Sequence, residues 1–197
     1  MRKKEKLVFG VGVNDYEETI QYLGKPIRSY RTWQSMIKRC YDNKHRSVKD
    51  NSYVGCTVAN EWLSYKNFKD WFDNNFPTDI VFNGIEVEID KDLLVEGNKV
   101  YSPETCIFIP RKINSFMTNK KSNNTSGYTG VSKHSQTNKW YSRIREFETS
   151  KIKHLGIFED IEDASKAYQK AREAQCEKAK AWLRELGYEE NIIEKIR

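Results

Sequence analysis

Positively charged side chains are concentrated in one part of the chain, between residues 111 and 154. This stretch contains ten lysines and arginines but only two acidic residues, Glu146 and Glu148, whereas the net charge of all 197 residues is +6. The ten are Arg111, Lys112, Lys120, Lys121, Lys133, Lys139, Arg143, Arg145, Lys151 and Lys153. Cations interleaved with aromatic residues and histidines are typical of a surface that binds phosphate groups. The stretch therefore predicts a nucleic-acid interface, and a solvated basic face without such a partner is the alternative.

Two of these arginines, Arg143 and Arg145, stand two residues apart in a segment whose pattern predicts a β-strand. Because alternate side chains of a strand point to the same face, their guanidinium groups are expected to share one surface. Trp140 is interpreted either as part of that surface or as an ordinary core residue. His134 and His154 are either binding residues or ordinary surface residues.

A pair of carboxylates near a predicted strand end is a second candidate for chemistry. Apolar and acidic residues alternate from Ile85 to Asp90, which predicts a half-buried strand that ends in a carboxylate. Asp92 follows two residues later. Acidic residues at a strand end are usually solvated or cap a turn, and this is the plainer interpretation of the pair.

The elements that would position these groups predict an α+β protein. Helical spacing of apolar residues predicts one helix from Ser29, with Ser29 as a possible N-cap, and a second from Trp62 to Phe76 whose aromatic rings are expected in the core. A strand at 85–90, a strand at 106–109 and a short helix that begins at Pro110 follow.

A second module is predicted after a polar, turn-rich segment at 119–127. Its pattern predicts short strands at 130–131, 140–145 and 152–158, and a long helix that Asp160 caps and Gly187 ends. The predicted division of the chain is an N-terminal arm (1–27), a first module (28–119), a linker (120–126), a second module (127–187) and a tail (188–197).

Composition narrows the class of protein further. The chain is polar, with a mean hydropathy of -0.82, but its 13% aromatic content argues against disorder. No apolar run approaches the roughly 20 residues that a membrane span needs, so a cytosolic protein without a membrane partner is expected. The four cysteines lack C-x-x-C spacing and are expected to be reduced and mostly buried. A zinc site is the alternative, built from Cys40, His45, Cys56 and Cys106.

Several motifs occur in order along the second module. They are Tyr128-Thr129-Gly130-Val131, Asn138-Lys139-Trp140-Tyr141-Ser142-Arg143-Ile144-Arg145, Leu155-Gly156-Ile157-Phe158, and Glu162-Asp163-Ala164 with Ala167-Tyr168. With these motifs, residues 126–172 resemble the plant ethylene-response-factor DNA-binding domain, also called the AP-two domain. The resemblance implies a three-stranded antiparallel sheet packed on one helix, with the sheet laid in the major groove of DNA.

The same resemblance implies which residues contact DNA. Arg145 matches a DNA-contacting arginine, whereas Arg143 occupies a position that holds an acid in many plant members. At three further positions the plant members have an arginine where this chain has Thr129, Ser132 and His134. His154 stands where they have a tryptophan. The DNA sequence that the plant domains recognise is therefore not expected to be the target of this chain. The expected DNA-binding residues are Thr129, Ser132, Lys133, His134, Lys139, Trp140, Arg143, Arg145, Lys151, Lys153 and His154.

The first module carries a second resemblance. Its motifs are Ile89-Asp90-Lys91-Asp92 and, after a loop, Glu104-Thr105-Cys106-Ile107-Phe108-Ile109-Pro110-Arg111-Lys112-Ile113-Asn114. They are similar to the ββα-metal core of phage HNH homing endonucleases. The resemblance implies that Asp90 and Asn114, both oxygen donors, hold one Mg²⁺ or Mn²⁺ ion. It also places Lys91 in the general-base position and Thr105 in the position of an asparagine. A protonated lysine would hold a phosphate better than it would deprotonate water, and His45 is the alternative base.

Together these features predict a double-stranded-DNA-binding protein of phage or mobile-element type, located in the cytoplasm of an infected or lysogenic bacterial cell. Its HNH-like module is expected to nick DNA with a divalent cation. The alternatives are a non-enzymatic DNA-binding regulator with a lapsed nuclease core, and a factor that binds a host or phage protein through the aromatic first module.

Overall fold

The computed structural model describes residues 7–42, 53–117 and 126–197, which form two compact units. The first unit ends at Pro110 and the second begins at Arg111. Both contain helices and strands, so the predicted α+β class is confirmed. None of the helices in these residues has the length and apolar character of a transmembrane span.

The first unit combines helices with three two-stranded sheets. Its helices are α1 (Arg28–Tyr41), α2 (Tyr65–Asn75) and α3 (Thr78–Phe82), with a 3₁₀ turn at Asn60–Leu63. Its strands are β1 (Gln21–Tyr22), β2 (Lys25–Pro26), β3 (Thr57–Val58), β4 (Val87–Asp90), β5 (Val100–Tyr101) and β6 (Ile107–Pro110). Strands β1 and β2 pair antiparallel, as do β4 and β6, whereas β3 and β5 pair parallel.

Aromatic residues form the core of the first unit. Trp33 of α1 is fully buried and its Nε1–H donates to the carbonyl oxygen of Trp62 at 2.7 Å. Tyr65 and Phe68 of α2 are also fully buried, because the three-and-four spacing turns one stripe of each helix inward. The prediction that these rings lie in the core is confirmed.

The start of α1 differs from the sequence prediction. The helix begins at Arg28, and no side chain caps it. The hydroxyl of Ser29, the predicted cap, lies 2.8 Å from the hydroxyl of Tyr65 and forms a buried hydrogen bond there. The Ser29 hydroxyl therefore forms a tertiary hydrogen bond and does not act as the N-cap that the local sequence predicts.

Residues of the predicted N-terminal arm belong to the first unit. The N–H of Val13 donates to the carbonyl oxygen of Leu63, and the N–H of Tyr65 donates to the carbonyl oxygen of Val13. Val8, Val11 and other apolar residues of this segment pack against the core. The arm is thus joined by backbone hydrogen bonds to the 3₁₀ turn and to the first residue of α2.

The second unit begins with a helix that the sequence had assigned to the first module, α4 (Arg111–Met117). The ring of Phe116 meets that of Phe147 edge-on with centroids 5.3 Å apart, and the guanidinium of Arg172 lies 3.7 Å above the Phe116 ring. Residues 118–125, most of the predicted linker, lie outside the described residues. They connect two parts of the second unit, since α4 precedes them and a strand of the same unit follows.

The rest of the second unit is a three-stranded antiparallel sheet and a long helix. The strands are β7 (Val131–Lys133), β8 (Trp140–Arg145) and β9 (Ile152–Phe158), in the order β7-β8-β9. Helix α5 (Ile161–Glu185) follows, and the Oδ1 atom of Asp160 accepts the N–H of Glu162 at 2.7 Å, as a capping residue does. A short helix, α6 (Glu190–Ile193), lies in the predicted tail, where Ile193 and Ile196 are buried.

Close approach of the sheet to α5 depends on a glycine. Gly130 has φ +73°, and a Cβ atom built there would lie 2.1 Å from the ring of Tyr168 and 2.8 Å from the carbonyl oxygen of Arg143. Only glycine fits both the backbone conformation and the space. One face of the sheet is thereby held against the helix.

Candidate nucleic-acid interface

The two faces of strand β8 have opposite character. Ser142 and Ile144 are buried on the side of the sheet that packs on α5, whereas Arg143 and Arg145 are exposed on the other side. This is the alternation that the sequence predicted for the two arginines. We call the exposed side the open face of the sheet.

Cations and rings occupy neighbouring positions on the open face. Arg143 pairs in register with His154 of β9, and Tyr141 pairs with Ser132 of β7. The Tyr141 and His154 rings lie 4.3 Å apart, and the Arg143 guanidinium is 5.9 Å from the Tyr141 ring. Strands β7, β8 and β9 contain no aspartate or glutamate. The strands therefore present positive charge that no carboxylate of their own neutralises.

A β-bulge shapes the centre of this face. Ser142 pairs with Gly156, and the next residue of β8, Arg143, pairs with His154, so Leu155 is the extra residue. A bulge bends a strand and increases its twist. Here it brings His154 opposite Arg143 on the open face.

The turn between β8 and β9 is fastened by Arg145. Its guanidinium donates to the carbonyl oxygen of Ser150, a residue with a positive φ of 57°. Lys151 pairs through its carbonyl oxygen with the N–H of Glu146. The turn thus holds the guanidinium of Arg145, and the backbone of Lys151, at one end of the sheet.

The predicted DNA-binding residues differ in exposure. Six are exposed: Lys133, Arg143, Arg145, Lys151, Lys153 and His154. Five are half-buried: Thr129, Ser132, His134, Lys139 and Trp140. Trp140 has the strand phase of Ser142 and Ile144, which favours its interpretation as a core residue. Lys139 forms an ion pair with Glu159, with Nζ and Oε1 2.5 Å apart.

Three apolar or aromatic members of the open face are absent from the list of expected DNA-binding residues. Tyr141 has the same strand phase as Arg143, and Ile152 pairs with Arg145. Ile152 and Ile157 are 56% and 47% exposed, which is high for isoleucine and leaves apolar surface beside the cations. The period-two rule that linked the two arginines would have identified Tyr141 as well.

In the first unit, the carboxylate of Asp90 caps a turn. Its Oδ1 atom accepts the N–H groups of Asp92 at 2.9 Å and Leu93 at 2.7 Å. Burial raises the pKa of Asp90, and the two backbone hydrogen bonds oppose that change only in part. The other oxygen, Oδ2, has no hydrogen-bond partner among the described residues.

The two other predicted catalytic residues of this unit hold a loop together. Lys91 is only 5% exposed, and its Nζ donates to Oδ1 of Asp92 at 2.6 Å and to the carbonyl oxygen of Asn98 at 2.7 Å. The hydroxyl of Thr105 donates to the carbonyl oxygen of Val100 at 2.8 Å. Their polar groups are therefore engaged within the protein.

Asn114, the second predicted metal ligand, is a half-buried residue of α4. It belongs to the second unit, and Asp90 belongs to the first. Within residues 7–42, 53–117 and 126–197, no three His, Cys, Asp or Glu side chains are grouped as metal ligands. His45, the alternative base, lies outside the described residues.

All four cysteines are buried and none forms a disulfide bond, as the sequence predicted. Burial raises the pKa of Cys106 to about 12, so its thiol stays protonated at neutral pH. His45, which the zinc alternative also uses, lies outside the described residues.

Comparison with known proteins gives no relative for this chain: it matches no protein-family model, no curated protein and no solved structure.

Proposed function

We propose that the second unit binds double-stranded DNA with the open face of its sheet. The observation that supports this function is the pair of exposed arginines, Arg143 and Arg145, on strands that carry no carboxylate. Guanidinium groups bind phosphates and guanine edges through two parallel hydrogen bonds. A sheet surface of this kind fits a major groove about 12 Å wide.

Apolar groups beside the cations add a possible means of reading bases. Ile152, Ile157 and the Tyr141 ring lie on the same face as the arginines. Apolar side chains distinguish thymine by its methyl group, whereas phosphate contacts carry no sequence information. We therefore assign affinity to the cations of the open face, and sequence preference to Tyr141, Ile152 and Ile157 beside them.

The test is fluorescence anisotropy of a labelled duplex with the full chain, repeated over a range of salt concentrations. Arg143→Glu is compared with Lys170→Glu, which makes the same change of charge at an exposed position of α5. We expect the wild type to lose affinity steeply with salt, because each phosphate contact contributes about 0.9 to the slope of log K against log salt concentration. Arg143→Glu should weaken binding at least tenfold relative to Lys170→Glu. Equal affinities for the two variants would refute the open face as the binding surface.

We propose metal-dependent nicking of DNA as a second function, to be tested separately. The observation that favours it is the half-buried Asp90 carboxylate, whose Oδ2 atom has no hydrogen-bond partner among the described residues. The first unit offers a single such ligand, and Asn114, the other ligand that the HNH resemblance implies, belongs to the second unit.

Nicking of supercoiled plasmid with Mg²⁺ or Mn²⁺ tests this second proposal. Asp90→Asn keeps an oxygen that accepts the two backbone N–H groups, so it removes the charge without removing the turn cap. Asn114→Ala removes the ligand that the HNH resemblance implies in the second unit, and Asp70→Asn is the control at an exposed position of α2. Activity in the wild type and Asp70→Asn alone would support the site. Inactive wild type would favour a DNA-binding regulator with a lapsed nuclease core.

A partner-protein interface made by the aromatic helices has less support. Trp33, Trp62 and Phe68 are fully buried and cannot contact a partner. Such an interface would have to use isolated exposed residues such as Leu23 and Phe82.

A further inference from the structure

A second basic surface lies in the first unit, in a cleft between α1 and β4. The cleft has a volume of about 310 Å³. Its lining residues are Arg28, Arg31, Thr32, Ser35 and Arg39 of α1, and Val87, Glu88 and Ile89 of β4. Three guanidinium groups thus line a space that contains one carboxylate side chain.

The spacing along α1 explains why these side chains converge. Arg28, Thr32, Ser35 and Arg39 follow one another at four, three and four residues, which places them on one stripe of the helix. Trp33 and the other core residues of α1 occupy the opposite stripe. One wall of the cleft is therefore the polar side of an amphipathic helix, and the polar residues of that wall are cations and hydroxyls.

Contacts with the protein hold two of the guanidinium groups in place. Nη2 of Arg28 donates to the carbonyl oxygen of Val87 at 3.1 Å, and its guanidinium lies 4.7 Å from the Phe76 ring. The guanidinium of Arg39 lies 5.3 Å from the Tyr53 ring. Held guanidinium groups lose little entropy when an anion binds.

Positive charge in the cleft is only partly compensated. Burial and the nearby charge of Arg31 both lower the pKa of Arg28, and Glu86 acts in the opposite direction. Arg31 is exposed, and its side chain makes no hydrogen bond or ion pair with the described residues. An anion that entered the cleft would meet fixed donors from Arg28 and a free guanidinium from Arg31.

We infer that this cleft binds a phosphate of the DNA backbone, so that the first unit contacts the duplex independently of the open face. The inference rests on the proposed DNA-binding function. The guanidinium groups of Arg28 and Arg31, with hydroxyls beside them, suit the oxygens of a phosphodiester, whereas the charge of Glu88 acts on Arg39, which also forms a hydrogen bond with Tyr101. Once the second unit is bound, covalent connection raises the local concentration of backbone phosphates around the first unit. Free inorganic phosphate is the other source of the same chemistry.

Arg31→Glu in the full chain tests this contact. Arg31 is chosen because Arg28 and Arg39 also have structural contacts, whose loss could unfold the unit. Lys25→Glu is the control, since it makes the same change of charge on the exposed hairpin β1–β2. In the anisotropy titration we expect Arg31→Glu to bind about tenfold more weakly than Lys25→Glu and to reduce the salt slope by about one. Equal affinity and slope for the two variants would overturn the inference.

Comparison with Arg143→Glu separates the two surfaces. If Arg143→Glu loses affinity and Arg31→Glu matches its control, the sheet proposal stands and the cleft inference fails. If Arg31→Glu loses affinity and Arg143→Glu matches Lys170→Glu, the cleft inference stands and the sheet proposal fails. An NMR titration with inorganic phosphate distinguishes the source of the anion. Phosphate-induced shifts at Ser35 together with unchanged DNA binding by Arg31→Glu would assign the cleft to free phosphate and refute DNA as its ligand.

Discussion

Replacing Gly130 by alanine should destabilise the second unit, because this glycine lets the sheet lie close to α5. The residue has φ +73°, which costs an alanine about 1–2 kcal/mol. A new Cβ atom would lie 2.1 Å from the Tyr168 ring, so the ring or the strand must move. Overpacking of this kind costs about 1–3 kcal/mol. We therefore expect Gly130→Ala to lower the free energy of unfolding by about 2–5 kcal/mol.

A neighbouring glycine provides the control for the backbone cost. Gly127 has φ +83°, and a Cβ atom there would meet nothing within 4 Å. Gly127→Ala should therefore lower the free energy of unfolding only by the cost of the backbone conformation, about 1–2 kcal/mol. The difference between the two variants measures contact with the helix.

Hydrogen exchange detected by mass spectrometry is the assay, because it reports the stability of each unit separately. Amides of β8 should exchange faster in Gly130→Ala than in Gly127→Ala, while those of α2 should be unchanged. Adding Tyr168→Ala to Gly130→Ala should restore part of the protection that the β8 amides lose in Gly130→Ala. Equal protection of β8 in the two glycine variants would refute the claim that Tyr168 makes this position require glycine.

Three further predictions concern buried polar groups. Ser142→Ala should leave the free energy of unfolding unchanged or raise it by roughly 1 kcal/mol, because the Ser142 hydroxyl is buried without a hydrogen-bond partner among the described residues. Urea denaturation measures this change, and a clear loss of stability would contradict the prediction. Lys91→Met should destabilise the first unit by about 1–3 kcal/mol, since it breaks the contacts of the lysine with Asp92 and Asn98. Hydrogen exchange of the amides of residues 92–98 should become faster, and unchanged exchange would show that Lys91 does not hold this loop. Cys106, whose pKa burial raises to about 12, should resist iodoacetamide at pH 8 until the protein is denatured, and rapid alkylation of the native protein, detected by mass spectrometry, would show that the thiol is accessible.

The elements that sequence predicts best are those with a strong local pattern. The alternation in β4 and β8 and the capping residue Asp160 of α5 have local causes, so the pattern predicts these elements. Short elements lack such a signal. The parallel pair β3–β5 joins two-residue strands that are distant in sequence, and its formation depends on tertiary packing.

The candidate site was predictable only in part, for the same reason. Strand phase places Arg143 and Arg145 together from sequence alone. Nothing local indicates that Phe116 packs on Phe147, which attaches α4 to the second unit. Burial of Lys91 was equally hidden, because lysine is rarely buried and its partner Asn98 lies seven residues away. Tertiary contacts of this kind therefore could not be predicted from the local sequence pattern.

The most direct test of the central proposal is an NMR titration of the full chain with a DNA duplex. Signals of the side-chain Nε–H groups of Arg143 and Arg145, and of the Tyr141 ring, should shift as duplex is added. Arg184 is an internal reference, because it is paired with Glu190 away from the sheet strands. Shifts confined to the open-face residues would support the proposal. An unchanged spectrum, or shifts at Arg184 without shifts at Arg143, would contradict it.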